Sequence, residues 1–221
     1  MNYHIPIMCT IIKPSINIIN HSFKYVFMKY KHYNIPDEAI GLKPVMDVFT
    51  FSKQIYNNEV DKKTNIKKYA NVIYASAIGH NICMNETDGI IQYQHYLTPI
   101  MNYDEVLNIG KIIQNTSYSN VKLNGYPILH DYQLAYHIVR EADLLASYDF
   151  NRCVIYNMFH NNPTHDYNKA VTFAIKVFEN RVLTMIDDDL FVTEYSKMKS
   201  IQLHNDALQS IINITCSIGK H

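Results

Sequence analysis

The chain has 221 residues, of which 48% are hydrophobic and 18% charged, with 20 basic and 20 acidic side chains. That length and composition suit one globular core rather than two domains or a disordered chain. Zero net charge gives no basic footprint for a phosphate backbone, so no nucleic-acid partner is expected; it favours self-association, with a homodimer the simplest form.

Six glycines and seven prolines suit long helices better than a turn-rich β fold. Tyrosine is abundant, whereas arginine occurs only at Arg140, Arg152 and Arg181, a bias that an AT-rich coding genome would produce. Cys9, Cys83, Cys153 and Cys216 form no CxxC pair, so free thiols in a reducing cytoplasm are expected. The opening "IPIMCTII" is far shorter than the roughly 20 apolar residues of a spanning helix. No basic stretch precedes it, so neither a signal peptide nor a membrane partner is expected.

In chain order, a first helix is expected over 16–31, with Phe23, Val26, Phe27 and Tyr30 on one face. Pro36 and Pro44 bracket a loop, and a second helix runs over 45–58 through Val48, Phe51, Ser52 and Ile55. "DKKTN" is polar punctuation, with Thr64 or Asn65 as N-cap of a third helix over 65–80. On it Ile66, Ala70, Ile73 and Ala77 make a stripe that His80 and Asn81 continue towards the core. A fourth helix starts near Glu86 and ends by Thr98-Pro99. A fifth spans 103–114, with Asn102 or Asp104 at its start, and a loop covers "NTSYSNVKLNGYP". A long helix over 129–147 puts Ala135, Val139 and Asp143 on one line, and a carboxylate in such an apolar row needs a partner. Two or three more helices fill 150–217. The expected fold is all-α, a compact single-domain helical bundle over 1–221. Residues 1–40 give an N-terminal helix and loop, 40–147 a motif-bearing core and 148–221 C-terminal helices.

Four segments carry a resemblance. "YASAIGHNICMNE" resembles the "AALLHDIGD" helix end of the HD phosphohydrolase superfamily, and "IIQNTSYSN" its "IIRHHSYS" segment. "IVREADLLAS" resembles its "IVQDADRLDA" helix, and "AIKVFENRVLTMIDDDLFVTE" its closing helix pair. The order matches small single-domain HD proteins and covers roughly residues 40–210. The resemblance implies an HD-type bundle in which His and Asp side chains hold a divalent metal that activates water against a phosphoester. His80 then stands for the paired His, Asn81 for its Asp and Asp143 for the distant Asp. Asn81 carries no charge, and the early His falls on Pro44. Asn115-Thr116 replace histidines, and Leu144 replaces an arginine.

The metal residues are thus His80, Asn81 and Asp143, with weak affinity for Mn, Mg or Fe at most, and no residue takes a catalytic role. In blander terms, His80 is a hydrogen-bonded core histidine and Asn81 helix punctuation, while Asp143 either caps or pairs with His80. "LHD" at 129–131 looks like an HD pair, though Asp131 more simply serves a helix N-terminus. His95, His130 and His137 could rebuild a metal site, and "DDD" at 187–189 reads as a solvated run. The expected function is an inactive HD-like binding or interaction module for a small phosphorylated ligand or nucleotide. The alternative is an active metal-dependent phosphohydrolase with substitute ligands.

Overall fold

The third helix is apolar on every side, and the rest of the fold is built around it. In the computed structural model the described residues are 13–33, 41–82, 88–160 and 166–218. They form α1 (Lys13–Tyr33), α2 (Leu42–Lys62), α3 (Ala70–Gly79), α4 (Gly89–Leu97), α5 (Tyr103–Asn115) and α6 (Tyr118–Asn124). Then come α7 (Gln133–Ala146), α8 (Phe150–His160), α9 (Tyr167–Val177) and α10 (Glu194–Ile218). No strand occurs among the described residues. The expectations for Pro36, Cys9, Cys83, a fourth-helix start at Glu86 and the opening apolar segment lie outside them.

Nine of the ten residues of α3 are buried, among them Ala75, Ala77 and Gly79, which let neighbouring backbones approach. α1, α2, α5 and α7 surround it, and α2 also packs along α7. A helix hydrophobic all round belongs in the core. The single stripe expected on α3 therefore understates its burial. Its first turn is also tighter than expected, because Thr64–Tyr69 is 3-10 helical with no side-chain cap at its start. Pro44 sits inside the first turn of α2, where a missing N–H costs nothing, and not in a preceding loop.

A further departure is α6, which lies where a loop is expected. Ser117 accepts from the Asn120 N–H and caps it, Tyr118 and Val121 anchor it in the core, and Gly125 at φ 72° ends it. The capping expected at Asn102 is present, with Asn102 and Glu105 reciprocally bonded in a capping box. Asp131 does not cap α7: it is 80% exposed in a 3-10 turn and faces Lys68 at 3.9 Å.

α8, α9 and α10 close one side of the bundle, α10 against α7, α2 and α8. α9 runs into a π-helical turn, Phe178–Val182, closed by a 2.8 Å bond from the Leu183 N–H to the Phe178 carbonyl. Such wide turns re-aim side chains and often stand at functional sites.

Two positions give tests of this packing. A Cβ on Gly79 would fall 2.3 Å from a ring carbon of Tyr93, which is fully buried and donates to the Ala75 carbonyl at 3.0 Å. Gly79→Ala is therefore expected to destabilise the fold by about 1–3 kcal/mol, read from the urea midpoint; an unchanged midpoint would mean that Tyr93 is not fixed. Burial first, and Arg140 second, push the His137 imidazole down to about 4. A histidine held neutral in the fold stabilises it fully above its unfolded value near 6.5, and that contribution fades as pH falls towards 4. Stability should thus drop by about 2 kcal/mol between pH 7.5 and 5 through this group. His137→Gln should flatten that part of the profile, whereas an equal slope in both proteins would remove His137 as its source.

Candidate functional site

Five helix ends and the π turn meet around one cavity of ≈ 410 Å³, within the size range of small-molecule sites. His80 and Asn81 enter from the end of α3, Pro44 from the first turn of α2, and Asp143, Leu144 and Ser147 from the last turns of α7. Ser117 stands at the rim before α6. α8 and the residues before it supply Asp149, Arg152, Cys153 and Tyr156, while the π turn supplies Phe178, Arg181 and Val182.

The three residues expected at a metal site, His80, Asn81 and Asp143, therefore line the same space. Pro44 and Leu144 line it too. The other candidates lie elsewhere. His95, His130 and His137 do not line the cavity, nor does the 187–189 run, whose Asp188 pairs with Lys122 at 2.9 Å and accepts from Tyr118.

His80 is held in one state. Its side chain is 3% exposed, and Nδ1 lies 2.7 Å from the Ala77 carbonyl oxygen. A carbonyl only accepts, so Nδ1 carries the proton. Nε2 faces Asp143 Oδ1 at 3.8 Å, too far for a hydrogen bond. Burial lowers the His80 pKa and outweighs the opposing pull of Asp143 and the Ala77 carbonyl. The pair is therefore a neutral imidazole beside a carboxylate rather than an ion pair at neutral pH. Two acceptors, the Nε2 lone pair and the Asp143 carboxylate, look at each other with no donor between them among the described residues.

Arg152 and Arg181 also line the cavity, beside Asp149. Arg152 is anchored by a 2.9 Å bond to the Ala146 carbonyl, and its backbone N–H donates to Asp149 at 3.0 Å. Arg181 is exposed, with its guanidinium 5.0 Å above the Tyr118 ring. Neither has an ion pair among the described residues. Cys153 between them is half-buried, and burial pushes its thiol up to about 11, so it is no nucleophile at neutral pH. The two arginines escape a motif-based reading. The signal that could have found them is scarcity: of the three arginines in 221 residues, two line this cavity.

A divalent cation here would have His80 Nε2, an Asp143 oxygen and the Asn81 amide, with Pro44 offering no side-chain donor. No three His, Cys, Asp or Glu side chains gather anywhere among the described residues. Tight binding needs three or four protein donors, most of them charged or imidazole. Among the described residues the cavity offers one imidazole, one carboxylate and one amide around His80, one donor short of the four of a structural metal site.

Fold and cavity together define an all-helical domain with a cavity of mixed polar and apolar lining at the meeting of its helix ends. No family model matches the chain, and no curated protein matches it. A crystal structure of a Lactobacillus plantarum protein, solved as a Northeast Structural Genomics target, has the same fold. Its TM-score is 0.68 at 13% identity, over 93% of this chain and 98% of that one. At that identity the likeness concerns architecture alone. No helix among the described residues is long and apolar enough to cross a membrane.

Proposed function

We propose that the protein is a degenerate HD-type relative of the metal-dependent phosphohydrolases, one that binds a small phosphorylated ligand without hydrolysing it. The supporting observation is the cavity itself: the positions matched to the HD motifs, Pro44, His80, Asn81 and Asp143, share it with Arg152 and Arg181. Loss of metal donors removes the means of activating water. Guanidinium groups supply what phosphate recognition still needs, a planar fork of donors with a fixed charge.

Thermal shift with a panel of phosphomonoesters in EDTA tests this function. The expected result is saturable stabilisation by at least one of them, weakened in Arg181→Gln, whose side chain is exposed. A panel with no effect on the wild-type protein would refute the binding function. Stabilisation that needs Mn²⁺, accompanied by phosphate release, would support an active phosphohydrolase instead.

A further inference from the structure

The charge pattern of the cavity narrows the class of ligand. Its lining carries two cations, Arg152 and Arg181, and two carboxylates, Asp143 and Asp149. A lining that sums to zero is poorly matched to a polyanion such as a nucleoside triphosphate, which would bring several charges against two. It is well matched to a molecule that carries both signs.

The second observation is the acceptor pair. His80 is almost wholly buried, its Nδ1 proton is committed to the Ala77 carbonyl, and Nε2 points at Asp143 Oδ1 across 3.8 Å. Asp143 is 32% exposed, so this gap opens to the cavity, and a donor entering it there, water or a ligand N–H, meets both acceptors. The protein supplies no such donor among its described residues, and its metal-donor set is one short of the four of a structural metal site. An N–H of a cationic nitrogen satisfies both groups at once, donating one hydrogen to Nε2 and another to the carboxylate.

We propose that the cavity selects a zwitterion, a small phosphomonoester with a cationic amine, bound without metal. Its phosphate sits on Arg152 and Arg181, and its ammonium sits between His80 Nε2 and Asp143. This ligand class rests on the phosphate-binding function proposed above, and adds to it the recognition of the other end. Asp149 accepts from the Arg152 backbone N–H, and Asp143, 3.8 Å from His80 Nε2, is the carboxylate placed to read the amine.

The test is isothermal titration in EDTA with two matched pairs of probes: phosphoethanolamine against ethyl phosphate, and aminopropyl phosphate against propyl phosphate. At least one amine should bind about tenfold or more tighter than its alkyl counterpart, the scale of a charge-assisted hydrogen bond. Asp143→Asn should abolish that preference while leaving alkyl phosphate binding in place. Arg181→Gln should weaken both members of a pair alike. Equal binding of amine and alkyl phosphates overturns the zwitterion and leaves the phosphate-binding function standing. Amine preference that survives in Asp143→Asn overturns the assignment of that residue. Binding of amine only when Mn²⁺ is added overturns metal independence. Failure of every phosphate to bind, with folding intact by circular dichroism, removes the underlying function as well.

Discussion

Glu141→Ala is expected to cost about 3–5 kcal/mol of folding stability, the loss typical of breaking a buried charge pair by removing one partner. Glu141 is 0% exposed and lies on the core side of α7. One carboxylate oxygen accepts from the Val192 N–H at 2.8 Å, and the other from the Thr193 hydroxyl at 2.6 Å and its N–H at 3.2 Å. Arg140, 1% exposed, adds a 3.3 Å contact and itself donates to the Leu190 carbonyl at 2.5 Å. The segment before α10 is thus tied to α7 by the Glu141 carboxylate and the Arg140 guanidinium. Truncation leaves two backbone donors and a buried guanidinium without it. Typical domains have about 5–15 kcal/mol in total, so the variant should unfold at much lower urea or be recovered poorly. Glu141→Gln keeps the volume and should lose less. A loss below about 1 kcal/mol for Glu141→Ala would show that water replaces the carboxylate at little cost.

The second large effect is a gain. Pro44→His with Asn81→Asp adds two donors at the positions that the resemblance to HD motifs assigns to metal ligands. Pro44 and Asn81 line the same cavity as His80 and Asp143, so the double variant places four donors around one space. Affinity for Mn²⁺ should rise at least about a hundredfold, since even outer partners of a metal site are worth 10–100-fold. Pro44 occupies the first turn of α2, where histidine is compatible with helical backbone, so folding should survive. Titration calorimetry reads the change. An affinity equal to that of wild type would mean that the four side chains do not point at a common centre.

The all-α class was legible because the apolar residues recur at helical spacing over long stretches with few breakers. The convergence of His80 and Asp143 was legible through motif order. Burial inside α7 was not: Arg140 and Glu141 are adjacent charged residues, a pattern that reads as a solvated face, yet both are buried. Only tertiary structure supplies their partners, fifty residues later at Leu190 and Thr193. α6 was hidden for a related reason. Its seven residues carry too short a period to read, and it is specified by the Ser117 cap, the Gly125 stop and two buried side chains. The π turn that delivers Arg181 leaves no mark in a pattern of period 3.6, so the meeting of Arg152 and Arg181 at one cavity was invisible until α8 and α9 were placed.

The central claim is the proposed one, that the cavity lined by His80, Asn81 and Asp143 takes a ligand and is not a working metal centre. Metal analysis of the purified protein, after equilibration with Mn²⁺ and gel filtration, tests it most directly. The account predicts less than about a tenth of an equivalent retained, as two strong donors and an amide would allow. Retention near one equivalent or more would contradict it, and would return His80, Asn81 and Asp143 to the role of metal ligands.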